Sequence, residues 1–153
     1  MVLSRGASMV GSAVARRGLS SALPRYGVVD EAFEGLLGSL CETSVNAGIL
    51  ARHGKDESHH ACVPPEIVAF PTSTAEVSAI LRCCNERKVA VVPFGVGTSL
   101  EGHVQSPAGG VSLDLGMHMT AMVEENAMDM DCRAEAGATR KAVNASLRRA
   151  GYG

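Results

Sequence analysis

Residues 66–103 read EIVAFPTSTAEVSAILRCCNERKVAVVPFGVGTSLEGH, and the change of hydrophobic period inside this stretch sets the architecture. Ile67, Val68, Ala69 and Phe70 form a continuous apolar run of strand length, the pattern of a strand covered on both faces. Ser73 and Glu76 stand at capping-box spacing, and Val77, Ile80, Leu81 and Cys84 then recur at i, i+3, i+4 and i+7. That spacing predicts a helix with one apolar stripe available to a sheet. Val89 to Val92 reads as a second buried strand. Strand, crossover helix and strand within about thirty residues make a βαβ unit, with a parallel pair and a right-handed connection.

Downstream, Phe94 to Gly110 spans 17 residues and holds five glycines. Structureless connections of that length inside a compact domain are usually functional or mistaken assignments. Val111 to Leu115 predicts another strand and Met119 to Val123 a weaker one. Met128, Met130, Cys132 and Ala134 alternate with Asp129, Asp131, Arg133 and Glu135, which predicts a strand with one wet face in antiparallel pairing. Thr139 can cap a last helix with Val143, Leu147 and Ala150 on one stripe; Arg148 and Arg149 suit its C-terminal dipole and Gly151 its stop. Upstream, Asp30 is an N-cap for a short helix carrying Phe33, Leu36, Leu37 and Leu40. From Ala51 to Pro65 no period is visible, and the segment reads as an irregular polar surface. No internal repeat is present.

The hydrophobic fraction of 46% and charged fraction of 20% suit one globular domain. The net charge of −2 conceals an asymmetry, because residues 1–29 carry Arg5, Arg16, Arg17 and Arg25 with no acid. Removing those four from 14 basic residues leaves ten against 16 acidic ones, which argues against a nucleic-acid partner. No transmembrane span is evident. The same 29 residues include Ser4, Ser8, Ser12, Ser20 and Ser21, so the stretch is Arg-rich, Ser-rich and acid-free, as organellar transit peptides are. A mitochondrial address is the favoured reading, with a plastid as the alternative. A secretory signal fits less well, since its apolar run would be short and interrupted by glycine. Cys41, Cys62, Cys83, Cys84 and Cys132 form an odd set without a CxxC pair, which suits a reducing compartment.

Chemistry is concentrated in Pro93-Phe94-Gly95-Val96-Gly97-Thr98-Ser99-Leu100-Glu101-Gly102-His103, directly after a strand, where α/β sheets place phosphate ligands. Glycines there permit positive φ and close approach, so that successive N–H groups can converge on an anion; the Thr98 and Ser99 hydroxyls can add donors. A P-loop is excluded, because no lysine lies between Lys88 and Lys141. The dinucleotide fingerprint GxGxxG fails as well, with Leu100 in the sixth position from Gly95. Spacing leaves two readings open, an anion site or a wide glycine turn joining two strands.

The run from Pro93 to His103 resembles the phosphate-binding loop of the vanillyl-alcohol-oxidase-like flavoproteins with a PCMH-type FAD domain. His53 to Ser58, Pro64 to Pro71, the helix after Ser73, Gly109-Gly110-Val111 and Glu135 to Leu147 follow in the order found in the D-lactate and 2-hydroxyacid dehydrogenase branch of that family. The resemblance implies an α+β fold in which a βαβ unit is followed by further strands and a C-terminal helix. It divides the chain into a transit peptide (1–29), an N-terminal helix with an irregular segment (30–62) and the N-terminal part of an FAD-binding domain (63–153). It assigns non-covalent FAD to Phe94, Gly95, Val96, Gly97, Thr98, Ser99, Leu100, Gly102 and Gly137, with Thr139 nearby. The family usually has proline where Ala136 stands. Some relatives link flavin covalently near the position of His103, which reads here as a loop histidine.

The implied reaction is oxidation of D-lactate to pyruvate, with electrons passed to cytochrome c. D-2-hydroxyglutarate or glycolate is the alternative substrate, and a truncated non-catalytic interaction protein the alternative role. The family's catalytic residues and divalent-metal ligands are expected beyond residue 153, so no catalytic or metal residue is assigned in this chain. His53, His59, His60 and Cys62 match no standard zinc spacing and read as a polar surface cluster. Met117, Met119 and Met122 around His118 read as gap-filling side chains. Cys83 and Cys84 are helix neighbours pointing in different directions.

Overall fold

The computed structural model describes residues 26–152. In chain order its elements are α1 (Glu31–Gly38), β1 (Glu42–Ser44), α2 (Ala47–His53), β2 (Ile67–Phe70) and α3 (Thr74–Arg87). They continue with β3 (Val91–Phe94), β4 (Val111–Asp114), β5 (Met122–Asn126), β6 (Asp131–Ala134) and α4 (Arg140–Arg149). A four-stranded sheet has the order β1-β2-β4-β3, and β5 and β6 form a separate antiparallel hairpin.

The βαβ unit is present, with a difference in pairing. β2 and β3 are parallel, yet each pairs with β4, which lies between them with Val111 opposite both Ile67 and Val91. Pro93 supplies a reason. It has no N–H to give a ladder, so a strand that contains it belongs at an edge. The strand also begins at Val91 instead of Val89 and is half open, with Val91 and Val92 half-buried and Pro93 exposed. Val89 is in the core even so, just ahead of the strand.

α3 starts as its sequence predicts, with the Ser73 hydroxyl accepting the Glu76 amide at 3.3 Å. The Glu76 carboxylate reaches back one residue further than a capping box requires, accepting the Thr72 amide at 2.8 Å and hydroxyl at 2.7 Å. Those bonds from Thr72, amide first, hold the Glu76 carboxyl below the usual range. The buried stripe runs through Ile80, Cys83 and Cys84, whereas Leu81 is exposed.

Strand alternation gives the sheet two unlike faces. Ile67, Ala69, Val111 and Leu113 point to the core formed with Phe33 and Leu37 of α1 and Ile80, Cys83 and Cys84 of α3. The opposite face carries Val68, Phe70, Ser112 and Asp114, all buried, and two of them are polar. Buried polar groups need partners. Asp114 finds one in His53 at the end of α2, within the segment from Ala51 to Pro65 read as irregular surface, where Asp56 and Ser58 are buried as well; the Ser112 hydroxyl has none among the described residues.

The hairpin is shifted relative to the sequence pattern. β5 begins at Met122, and the alternation from Met128 to Met130 falls in the turn, where both methionines are almost fully exposed and Met130 adopts φ 53°. Antiparallel pairing is as expected. α4 is capped by the Thr139 hydroxyl, which accepts the Ala142 amide at 3.2 Å, and Val143 and Leu147 are half-buried. Residues 1–25 of the predicted targeting segment lie outside the described residues. Of its remaining four, Gly27 donates its amide to the Lys88 carbonyl at 2.8 Å and Val29 packs against the core.

Candidate functional site

The glycine loop leaves the C-terminal end of β3 at Phe94, which is turned inward and buried. Its ring lies 4.2 Å from that of His53, and a Cβ on Gly97 would stand 3.1 Å from its Cζ. Phe94 therefore props the loop from beneath. Gly97 and Gly102 adopt φ of 71° and 76°, conformations that L side chains rarely take. Above them Val96, Thr98 and Leu100 are exposed, and no hydrogen bond among the described residues takes the amides of Val96, Gly97 or Thr98. A short row of N–H donors is thus left without a protein acceptor on a braced loop, which is what an anionic group requires.

Ser99 is engaged inside the loop. Its hydroxyl oxygen accepts the amides of Glu101 and His103 at 3.3 and 3.4 Å and lies 2.8 Å from His103 Nδ1. The Ser99 side chain is thus spent on loop shape.

Gly137, more than thirty residues away, closes on the same place through a stack of glycines. A Cβ on Gly116 would meet the Gly95 carbonyl oxygen at 2.4 Å, and one on Gly137 would meet the Leu115 carbonyl oxygen at 2.0 Å. Only backbone fits at either contact. The structure thereby brings Phe94 to Gly102 and Gly137 together at one end of β3 and β4. Thr139 follows, its hydroxyl occupied in capping α4.

The second wall of the loop was missed in the sequence. Glu57 donates its amide to the Ser99 carbonyl at 3.0 Å, and the Lys55 carbonyl lies 3.7 Å from the Cβ position of Gly97. The Asp56 carboxyl is held below its usual range by the Ser58 hydroxyl first and the Ser58 amide after it, with Ser99 and Gly102 nearby. Its Oδ2 is buried without a hydrogen-bond partner. His53 Nε2 is 2.9 Å from Asp114 Oδ2, and Nδ1 is 2.8 Å from the Ile49 carbonyl. The available signal was Ser112 and Asp114, two polar residues on one face of a strand otherwise read as buried, which demand partners from somewhere.

Other candidates disperse. His59 and His60 stack at 4.1 Å, and no group of three or more His, Cys, Asp or Glu among the described residues could hold a metal ion. Met117 is exposed while Met119 is buried. An open groove of about 460 Å³ between the hairpin turn, Leu147 and Tyr152 shares no residue with the glycine loop. No helix of the described residues is long and apolar enough to cross a membrane. The five thiols are free, and burial pushes Cys84 up to about 11. Exposed Cys62 and Cys132 should react with a thiol reagent at least tenfold faster than Cys83 and Cys84 in the native state. Equal rates at all sites would show that the α3 face is not packed.

A braced glycine loop with unpartnered amides, placed after a parallel strand beside a backbone-only contact at Gly137, gives this α+β domain the form of an anion-binding loop. The chain belongs to the FAD binding domain family, whose model matches residues 65–153. It is 43% identical over 108 residues to the probable mitochondrial D-lactate dehydrogenase of Danio rerio, covering 71% of this chain and 22% of that protein. It is 45% identical over 87 residues to the mitochondrial D-lactate dehydrogenase [cytochrome] of Arabidopsis thaliana, covering 56% of this chain and 15% of that protein. The chain thus spans about a fifth or less of the length of these relatives. Its fold is that of alkyldihydroxyacetonephosphate synthase, with a TM-score of 0.73 at 16% identity, over 82% of this chain and 28% of that one.

Proposed function

We propose that the chain contributes the pyrophosphate-binding part of a flavin site in an FAD-dependent D-2-hydroxyacid dehydrogenase, with D-lactate as substrate, pyruvate as product and cytochrome c as electron acceptor. The observation that carries this is the row of open amides at Val96, Gly97 and Thr98, held over Phe94 by a positive φ at Gly97. The substrate and acceptor rest on the names of the relatives, and the mitochondrial address on those names and the Arg- and Ser-rich, acid-free residues 1–29. FAD would be held non-covalently by Phe94 to Ser99, Leu100, Gly102 and Gly137, with residues 63–153 as the flavin-binding segment. The flavin, when bound, accepts the hydride; this chain's residues bind and orient it, and none of them is assigned to proton transfer. Ser99 and Thr139 act through backbone geometry, their hydroxyls being engaged elsewhere.

Titrating FAD to millimolar concentration into the 15N-labelled chain should move the amide resonances of residues 95–99. Gly97→Val should remove that response, because valine is strained at φ 71° and meets the Phe94 ring. Unmoved loop amides in the wild-type chain would overturn the flavin assignment. Added D-lactate, D-2-hydroxyglutarate or glycolate should give no dye reduction by the chain alone; turnover of any of them would show that catalytic residues lie within it.

A further inference from the structure

The sheet face opposite the main core buries an interaction that flavin binding as described does not use. His53 and Asp114 are 61 residues apart, with side chains 3% and 10% exposed, and meet at 2.9 Å. Their hydrogen bonds allow the protons to be counted. The Ile49 carbonyl can only accept, so Nδ1 of His53 carries a hydrogen. Asp114 Oδ1 accepts the amides of Gly116 at 2.8 Å and Met117 at 3.0 Å, and its Oδ2 faces Nε2. A second proton must lie between Nε2 and Oδ2. With Oδ1 already accepting two amides, we place that proton on Nε2, as an imidazolium–carboxylate pair.

Each partner touches a different support of the glycine loop. The His53 ring packs at 4.2 Å on Phe94, which stands under Gly97, and meets Phe70 edge-on at 6.0 Å. Asp114 gathers the amides of the turn at Gly116, the residue wedged between Gly95 and Gly137. His53 comes from α2, outside residues 65–153. We propose that the buried His53–Asp114 ion pair is a positioning device for the cofactor loop, fixing from below the direction in which the amides of residues 96–98 point. This inference rests on the flavin reading of the loop for its functional meaning and on the geometry alone for its structural content.

Asp114→Asn separates the charged pair from its shape. An asparagine can keep Oδ1 on the two turn amides and offer Nδ2 to His53 Nε2, which removes one proton and both charges while preserving the contact. In the full 153-residue chain, the variant should keep its far-UV spectrum and the amide shifts of α3 and α4. The shifts of residues 95–98 should move, and the FAD concentration needed for half-response should rise about tenfold, as for other outer partners that orient a binding group. Unchanged loop shifts and a response within twofold in the folded variant would overturn the proposal. Nitrogen NMR of His53 in the wild type is a second measurement, independent of the variant's folding. Protons on both ring nitrogens are expected, and a bare Nε2 overturns the ion pair. If the wild-type chain gives no FAD response, the flavin reading falls, and the loop shifts and the His53 nitrogens still decide whether the pair positions the loop.

Discussion

Gly110→Ala is expected to lower stability by roughly 2–6 kcal/mol, combining about 1–3 for a non-glycine residue in a left-handed conformation with about 1–3 for forced overpacking. Gly110 has φ 86°, and an added Cβ would stand 2.2 Å from the Ala90 carbonyl oxygen. That oxygen cannot move away cheaply, because it accepts the Val111 amide at 2.9 Å where β4 enters the sheet. The Gly110 amide is bound by Glu66 Oε2 at 2.7 Å, and its carbonyl accepts the Glu66 amide at 2.9 Å. One backbone residue thus joins the beginnings of three parallel strands. Since whole domains are stable by only about 5–15 kcal/mol, the variant should unfold at a much lower urea concentration. Gly35→Ala is the matched control, being mid-helix with nothing within 4 Å of its Cβ position, and should gain about 0.5–1 kcal/mol. Equal urea midpoints for the two variants would show that the three strands do not meet at Gly110 as described.

Phe33→Ala should cost about 3–5 kcal/mol, the range for emptying a fully buried aromatic site. Phe33 is 0% exposed between α3 and the sheet, and its helix is secured by the Asp30 carboxylate accepting the Phe33 amide at 2.8 Å. Leu36, one turn-position away on α1, is 41% exposed, and Leu36→Ala should change stability by less than about 0.5 kcal/mol. The contrast has a consequence for the domain's limits. Phe33, Leu37 and His53 all precede residue 65, where the family match begins, yet they seal both faces of the sheet. A midpoint for Phe33→Ala equal to that of Leu36→Ala would show that α1 is not part of the folding unit.

Much of this was legible in the residues. A four-residue apolar run, a capping serine and a 3.6-residue period located β2 and α3, because local conformation and burial demand agree there. The glycine loop was visible because few other residues allow positive φ at Gly97 and Gly102 or the backbone contact at Gly137. The shift of β6 was not legible, since the Met128–Met130 alternation satisfies a strand period while lying in a turn. α2 is seven residues long, too short for a period to show, so His53 was read as surface.

Local pattern was sufficient for the parallel arrangement, the capped helices and the presence of an anion-binding candidate, all of which depend on residues near each other in the chain. Strand order and the bracing of the loop came from packing over long separations. Pro93 keeps β3 at the edge, which leaves β2 and β4, both buried on two faces, as the interior strands. His53 and Asp114 find each other across 61 residues because two buried polar groups are costly apart and satisfied together, a condition that no local pattern records.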